Sequence, residues 1–239
     1  MATIIPAILE STSEGVAQKL LHALDFATDV QVDVVDGVFS HPATWPYHEG
    51  LMTQAGPLAP FTHADKISIE LDLMVDDPER TLTTWMNLGA RRIVLHLEST
   101  LNMKSILQTL AREYGHDKGF MTDSLAVGIA INIDTHLELL EPYIDSIDYV
   151  QFMGIKRIGV QGQSFAPEVL HKIEVFRAKH PEIPIQVDGG VTLESAPKLL
   201  ALGVSRLVTG SAIWGSDNPA ETYHALEELT QEHGLYGKW

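Results

Sequence analysis

Short apolar runs alternate along the chain with segments whose apolar residues follow a helical spacing. The runs are TIIPAIL, VQVDVV, KISIELDLMV, RRIVLHL, LAVGIAINI, IDYVQFM, IPIQVDGG and SRLVTG, eight in all. Runs of this length that are rich in β-branched residues are typical of strands, and the segments between them are typical of amphipathic helices. The pattern therefore predicts repeated strand–helix units.

Two of the intervening segments carry signals of helix boundaries. Residues 195–203 end on Gly203, a candidate C-cap. Residues 218–234 begin with Asn218, which can cap a helix, and Pro219, which suits a first turn. Glycine after a helix and proline at its start are common because each fits the local backbone geometry.

The alternation predicts the fold class. No linker rich in Pro, Gly or Ser interrupts it, so we expect residues 1–239 to form a single domain. Repeated strand–helix units pair in parallel through right-handed crossovers, and eight of them predict a closed (β/α)8 TIM barrel. A doubly wound open sheet is the alternative, but it would need a glycine-rich fingerprint after the first strand, which PAILESTSEG does not offer.

Composition excludes several classes of protein. The formal net charge of −16 argues against broad binding to nucleic acid or anionic lipid. The absence of cysteine excludes thiolate nucleophiles and Cys-based zinc sites. The chain shows neither a secretory leader nor an apolar run long enough to span a bilayer, so we expect a soluble, cytoplasmic protein that does not bind membranes.

Acidic residues occur where the predicted strands end, which is the active-site end of such a barrel. Because strand side chains alternate, Gln31 and Asp33 share one face, as do Asp72 and Met74 on the next strand. If these faces point inward, Asp33, Asp72 and Asp188 converge on the mouth of the barrel. Three like charges there would raise at least one pKa unless a cation lies among them.

Glycine-rich segments follow three of the last strands, at 159–165, 187–191 and 208–214. Loops after the last two strands of a TIM barrel often bind phosphate through backbone N–H groups. We therefore predict a small phosphorylated substrate. The residues expected to contact it are Gly162, Gln163, Gly189, Gly190, Gly210 and Ser211.

Taken in order, these motifs resemble the ribulose-phosphate 3-epimerase family, a TIM-barrel family of the ribulose-phosphate-binding type. The family motifs PSILS, HVDVMDG, HLMV, FHVE, VMTVNPGFGGQ, VDGG and GSAIF are similar to PAILE, QVDVVDG, DLMV, LHLE, QFMGIKRIGVQGQ, VDGG and GSAIW here. The resemblance covers the whole chain and rests on the order and spacing of the motifs.

The resemblance implies an isomerase that interconverts ketopentose phosphates such as ribulose 5-phosphate and xylulose 5-phosphate. In the family, two aspartates act as acid and base on opposite faces of C3 while a divalent metal stabilises the ene-diolate. The matching positions are Asp33 and Asp188. Met74 and Met153 match methionines that line the family's pocket, and the family is commonly dimeric or larger, which implies a homo-oligomer.

The metal site departs from the family pattern. The resemblance implies two histidine ligands beside the two aspartates, but Gln31 and Asp72 occupy the histidine positions. Asp33, Asp72, Asp188 and the amide oxygen of Gln31 would form an all-oxygen set. Such a set suits Mg²⁺ or Mn²⁺ better than Zn²⁺, so we expect a hard cation or no metal at all.

Two further departures leave the sugar open. Glu10 stands where the family has serine, and KRIG replaces the NPG turn of the sixth loop. Lys156 and Arg157 in that loop could reach the substrate, but exposed loop charges are usually solvated and we favour that interpretation.

Structural roles compete with several of these assignments. Asp36 is expected to make a turn rather than to act in catalysis. Asp72 is as well placed to pair with Lys66 or Arg92 as with a metal. His96 is expected to be a hydrogen-bonded core histidine that is at most adjacent to the site.

Two other functions stay open. The first is a lyase or decarboxylase of the wider phosphate-binding barrels. Those enzymes resemble one another in an Asp-x-Lys-x-x-Asp motif on the third strand, but DLMVDD has Met74 at the lysine position. A non-catalytic or differently specific sugar-phosphate-binding paralogue would explain the altered metal ligands. The retention of Asp33 and Asp188 argues against it.

Overall fold

The computed structural model of the protein describes residues 2–48, 51–52, 58–116 and 125–234. Its strands are β1 (Thr3–Ile8), β2 (Asp29–Val35), β3 (Tyr47–His48), β4 (Leu51–Met52), β5 (Ser68–Met74), β6 (Arg92–His96), β7 (Ala126–Ile131), β8 (Tyr149–Met153), β9 (Ile185–Asp188) and β10 (Arg206–Thr209).

The α-helices connect these strands. They are α1 (Ser13–Ala23), α2 (Leu82–Met86), α3 (Met103–Tyr114), α4 (Glu168–Lys179), α5 (Ala196–Ala201), α6 (Ser211–Trp214) and α7 (Pro219–Gly234). Between β7 and β8 the described residues form 3₁₀ turns, Leu137–Leu139 and Glu141–Ser146, in place of an α-helix.

Eight of the strands close into a parallel barrel in the order β1, β10, β9, β8, β7, β6, β5, β2. This confirms the predicted (β/α)8 fold and each of the eight predicted strands. β3 and β4 form a separate antiparallel hairpin that the sequence pattern did not predict. The single-domain organisation of residues 1–239 stays a prediction.

The predicted helix boundaries are also found. Gly203 has φ +74°, a left-handed conformation that follows the end of α5. The Asn218 side chain accepts a hydrogen bond from the N–H of Glu221 at 3.4 Å, so it caps α7. Across the described residues, no helix is long and apolar enough to cross a bilayer.

Most of the apolar core lies between the strands and the surrounding helices. There Leu71 and Phe152 of the barrel wall belong to the same buried cluster as Leu20 and Ile173 of the helices. Burial of this face stabilises the fold through the apolar area it removes from water, about 25 cal/mol per Å².

The inside of the barrel combines apolar residues such as Val94, Ala130 and Val208 with many polar ones, which is unusual because branched apolar side chains normally fill it. Three tiers of buried side chains follow the barrel axis from the amino to the carboxyl ends of the strands. They are Glu70, Tyr149 and Arg206, then Gln31, Gln151 and Gln186, then Asp33, Asp72, Asp188 and His96. The fold therefore places a stack of polar groups directly below the mouth of the barrel.

Candidate active site

Three aspartates meet at the carboxyl ends of β2, β5 and β9. Asp33, Asp72 and Asp188 each place a carboxylate oxygen within 4.8 Å of the others, and all three are buried. The side chains converge because strand alternation points them inward at adjacent levels of the barrel, Asp33 being the register partner of Asp72. The predicted convergence is confirmed.

Asp72 contacts a histidine and a glutamine side chain. Its Oδ1 lies 3.0 Å from Nε2 of His96, and its Oδ2 accepts a hydrogen bond from Nε2 of Gln151 at 2.9 Å. The alternative that Asp72 pairs with Lys66 or Arg92 is wrong. Lys66 is exposed, and Arg92 lies over the ring of Tyr149.

The environment changes the acidity of the cluster. Burial, with the charges of Asp188 and Asp72 next, raises the pKa of Asp33 well above its ordinary range. Burial and then the charge of Asp72 raise the pKa of Asp188 to about 8. Burial opposes protonation of His96, yet the charge and hydrogen bond of Asp72 raise the pKa of His96 above its ordinary value. The cluster therefore retains protons near neutral pH.

The donor set fits a hard divalent cation. The three carboxylates are close together and buried, and their repulsion is what a bound cation would relieve. Carboxylate oxygens are the ligands that Mg²⁺ and Mn²⁺ prefer.

Gln31 does not present an oxygen to this cluster, which corrects the expected ligand set. Its Nε2 donates to Oδ1 of Asp33 at 2.9 Å and to Oδ2 of Asp188 at 3.5 Å. Its Oε1 instead accepts a hydrogen bond from Nε2 of Gln186 at 3.1 Å. In this arrangement Gln31 is a hydrogen-bond donor to the acids, and metal ligation would require its amide to turn over.

A concave opening lies above the acids. Met74 and Met153, both almost fully buried, line it beside Asp33 and Asp188. Ala7 and Leu9 at the end of β1, the segment after β8 and the starts of the loops after β9 and β10 form the rest of its wall. These lining residues include Gly159, Gly162, Gln163, Gly189, Gly190, Gly210 and Ser211. All of the residues predicted to contact phosphate or line the pocket thus surround one opening.

Gln161 reaches across this opening to the loop after β10. Its Nε2 donates to the carbonyl oxygen of Ala7 at 3.3 Å. A Cβ added at Gly210 would lie only 2.3 Å from that nitrogen, so any larger residue here would displace the amide of Gln161. The sequence interpretation did not single out Gln161.

Two of the predicted phosphate residues have backbone roles of their own. Gly190 has φ +69°, and an added Cβ would lie 2.6 Å from Cα of Phe165. The side chain of Gln163 folds back on its loop, donating to the carbonyl oxygens of Val160 at 2.8 Å and of Arg157. Both residues shape the sixth and seventh loops whether or not they touch a ligand.

The structural roles preferred for other residues are found. Asp36 closes its turn by accepting hydrogen bonds from the N–H groups of Val38 and Phe39, at 2.8 and 2.9 Å. Lys156 is exposed and pairs with Glu168. Glu10, at the family's serine position, pairs with Lys19 at 2.7 Å.

Sequence reasoning missed the residues below the acids. Gln151, Tyr149 and Arg206 point into the barrel, and Gln151 contacts Asp72 directly. The available signal was alternation, since Gln151 lies two residues before Met153 on the same inward face.

Comparison with known proteins gives a consistent result. The model of the ribulose-phosphate 3-epimerase family matches residues 3–214 of the chain. A ribulose-phosphate 3-epimerase of Schizosaccharomyces pombe is 29% identical over 231 residues, covering 94% of this chain and 92% of the relative. A relative from Oryza sativa subsp. japonica, named a cytoplasmic isoform of the same enzyme, is 24% identical and covers 96% and 95%.

Similarity to solved structures supports the fold alone. A 3-hexulose-6-phosphate synthase from Salmonella typhimurium superposes with a TM-score of 0.64 at 14% identity, covering 97% of this chain and 99% of that one. The lyase alternative gains nothing from this similarity. The buried thioether of Met74 occupies the position at which that motif has a lysine amine.

Proposed function

The chain belongs to the ribulose-phosphate 3-epimerase family, and from this premise we propose that it catalyses epimerisation at C3 of a ketopentose phosphate. It is an isomerase that acts as a sugar-phosphate epimerase. Ribulose 5-phosphate and xylulose 5-phosphate are the proposed pair. The observation that carries the proposal is the convergence of Asp33 and Asp188 beneath one opening.

The two carboxyl groups suit proton transfer in both directions. One carboxylate would remove the proton α to the carbonyl, and the other carboxyl group would return a proton to the opposite face. For this, one group must be ionised while the other is protonated. Burial and the charge of Asp72 raise the pKa of Asp188 to about 8, and burial with the charges of Asp188 and Asp72 raises that of Asp33, which keeps a proton available in the pair at neutral pH.

A divalent cation would be held by Asp33, Asp72 and Asp188, and when bound it would supply positive charge beside the oxygen that becomes negative. The all-oxygen donors support Mg²⁺ or Mn²⁺ rather than Zn²⁺. His96 would orient Asp72 through the hydrogen bond to its Oδ1.

The phosphate group is proposed to bind in the glycine-lined part of the opening. Backbone N–H groups there would bind the anion without a basic side chain, which suits a chain of net charge −16. The proposed contacts are Gly162, Gln163, Gly189, Gly190, Gly210 and Ser211. Met74 and Met153 would pack against the sugar.

The expected assembly and location stay predictions. A homo-oligomer is implied by the family resemblance, and light scattering after gel filtration would measure it. The relative from Oryza sativa that is named a cytoplasmic isoform supports a cytoplasmic location.

Proton NMR of ribulose 5-phosphate in D₂O tests the function. Purified protein treated with chelator would be assayed alone and then with Mg²⁺, Mn²⁺ or Zn²⁺. We expect deuterium at C3, the appearance of xylulose 5-phosphate, and greater stimulation by Mg²⁺ or Mn²⁺ than by Zn²⁺. Asp33→Asn and Asp188→Asn should each lower the rate by about 10²–10⁴-fold, the usual contribution of a general acid or base.

Asp36→Asn is the matched control. Asp36 is a buried acid just after the same strand, and it accepts hydrogen bonds outside the cluster, through Oδ1 from the turn and through Oδ2 from the N–H of Asp76. Asparagine retains the acceptor oxygen for the turn and loses only the contact with Asp76. Its exchange rate should stay near that of the unmodified protein. Calorimetric binding of the ketopentose phosphate without exchange under any cation would contradict the epimerase and favour a binding paralogue.

A further inference from the structure

Three glutamines form a continuous hydrogen-bonded tier under the aspartates. Gln31, Gln151 and Gln186 are all 0% exposed. Nε2 of Gln186 lies 3.1 Å from Oε1 of Gln31 and 2.6 Å from Oε1 of Gln151. The tier therefore connects the cluster of acids to the residues that contact Gln186 from below.

The amide of Gln186 is fixed from below. Nε of Arg206 can only donate a hydrogen bond, and it donates to Oε1 of Gln186 at 2.6 Å. Glu70 accepts a hydrogen bond from Nε2 of Gln186 at 2.5 Å and from the hydroxyl of Tyr149 at 2.7 Å. Arg206 and Glu70 also pair with each other at 3.3 Å. A reversed Gln186 would place oxygen against carboxylate and N–H against guanidinium.

The fixed Gln186 in turn orients the two glutamines above it. Nε2 of Gln186 has two hydrogens for three oxygens, so Glu70 and Gln151 receive the shorter contacts and Gln31 shares a hydrogen at 3.1 Å. Because both glutamines turn their oxygens toward this donor, their own N–H groups are directed toward the acids. Gln31 then donates to Asp33 and Asp188, and Gln151 donates to Asp72. The orientation of all three amides follows from Arg206 and Glu70 at the amino end of the barrel.

We infer that Gln31 is a positioning residue for the acid–base pair, and that Arg206 sets its orientation through Gln186. This inference rests on the proposed function, since it gives Asp33 and Asp188 the roles of acid and base. Gln31 is the described residue whose one side-chain nitrogen contacts both carboxylates. It bridges them with N–H donors, where an oxygen turned toward them would repel both.

The physical effect is on geometry rather than on net charge. Two carboxyl groups that must act on opposite faces of one carbon have to be held at a set separation, and small displacements in such sites cost large factors in rate. If the amide of Gln31 were free to turn over, its N–H groups would face the carboxylates of Asp33 and Asp188 for only part of the time. The fixed amide removes that freedom before substrate arrives.

A double-mutant cycle between Gln31→Met and Gln186→Met tests the relay. Methionine keeps approximately the volume of glutamine while removing its hydrogen bonds. In the presence of the activating cation, we expect each single variant to lower kcat by about tenfold or more with KM changed less than twofold. The double variant should be slower than Gln31→Met only by the part of the Gln186 effect that passes through Gln151 to Asp72, so the two effects on kcat should be less than multiplicative.

Tyr149→Phe is the matched control for a lost buried hydrogen bond. It removes a bond to Glu70 in the lowest tier but leaves the contacts of Gln186 in place. We expect a lower thermal midpoint with kcat unchanged in this variant. The inference would be overturned if the double variant lowered kcat by the product of the two single-variant factors. It would also be overturned if Gln31→Met left kcat unchanged.

A measurement that needs no turnover separates the relay from the proposed function. In ¹⁵N–¹H spectra of the folded protein, the side-chain amide of Gln31 is identified by its disappearance in Gln31→Met. We expect its signals to move in Arg206→Met, although no contact joins the two described side chains directly, and to stay in place in Tyr149→Phe. Unmoved signals in a folded Arg206→Met would overturn the relay, whereas moved signals without epimerase activity would contradict the function alone.

Discussion

At the scale of single residues, burial of several aspartates together changes their acidity. Asp33, Asp72 and Asp188 are each less than a tenth exposed, and their hydrogen bonds come from amides and a histidine rather than from arginine or lysine. Burial raises the pKa of Asp33 and of Asp188, so their carboxyl groups keep their protons to higher pH, because the charged form is poorly solvated there. The same property that suits the pair to proton transfer makes the folded state sensitive to pH.

The metal-free protein should lose stability as pH rises from about 4 to 8. Burial and the charge of Asp72 raise the folded pKa of Asp188 to about 8, above its value in the unfolded chain. A raised carboxyl pKa stabilises the fold below the unfolded pKa, and this stabilisation is lost as pH rises through the folded pKa. Urea unfolding in chelator at pH 5, 6, 7 and 8 should show a slope of up to about 1.4 kcal/mol per pH unit from this group.

Asp188→Asn provides the comparison for that titration. Asparagine does not ionise, so the free energy of unfolding of this variant should depend less on pH over the same range. Equal slopes for the two proteins would show that Asp188 titrates alike in the folded and unfolded states, contrary to the expectation.

At the scale of elements, the strands deliver the acids and the loops close the opening above them. β2, β5 and β9 each carry an inward aspartate within two residues of the carboxyl end, so the chemistry depends on the strands rather than on the loops. The segment after β8 reaches the start of α6, where the side chain of Gln161 lies against Gly210. Substrate affinity is therefore expected to depend on how closely these two segments approach.

Gly210→Ala should weaken substrate binding with little change in the chemical step. The new methyl group would lie 2.3 Å from Nε2 of Gln161, so the amide of that side chain must shift from its place beside the proposed phosphate site. We expect KM for the ketopentose phosphate to rise about tenfold while kcat falls less than twofold, as for a loss of uniform binding. Steady-state kinetics with the activating cation would measure both.

Gln161→Gly is the partner variant for this prediction. If the collision with Gln161 is the cause, Gly210→Ala should raise KM much less in the Gln161→Gly background. A full tenfold rise in that background would instead mean that the phosphate group itself needs the space at Gly210.

At the scale of the whole molecule, negative charge is in excess over the chain and is also concentrated at the mouth of the barrel. The chain has 32 acidic and 16 basic residues, and three of the acids meet on the barrel axis. Such a distribution favours small cations at the mouth of the barrel and disfavours polyanions at the surface. A cation that binds the folded state alone must also stabilise the fold by mass action.

Addition of Mn²⁺ or Mg²⁺ should therefore raise the free energy of unfolding at pH 8. At a cation concentration 100 times the dissociation constant the gain should be about 2.7 kcal/mol, seen as a higher denaturation midpoint. Asp72→Asn, which removes a charge from the site, should lose most of this gain. Asp25→Asn, at an exposed position, should retain it, and an equal gain in both variants would place the cation elsewhere.

Much of the fold and part of the site could be predicted from local pattern. Alternation placed Asp33, Asp72 and Asp188 on inward faces, and parallel pairing brought them together. Alternation also places Gln151 and Arg206 on inward faces. It does not predict which side chain a polar residue in the middle or at the start of a strand will contact. The contact of Asp72 with His96 was missed for that reason, since it joins adjacent strands whose relative register the sequence does not state.

The sequence by itself determined the eight barrel strands, the barrel they close, the inward aspartates and the membership of an epimerase family, because periodicity and motif order are local properties of the chain. Only the tertiary structure decided what each polar group faces. Whether Gln31 offers the acids an oxygen or an N–H depends on Gln186, and through it on Arg206, which is 175 residues away from Gln31 along the chain (206 − 31). Hydrogen-bond direction is a property of the assembled network and no single residue carries it.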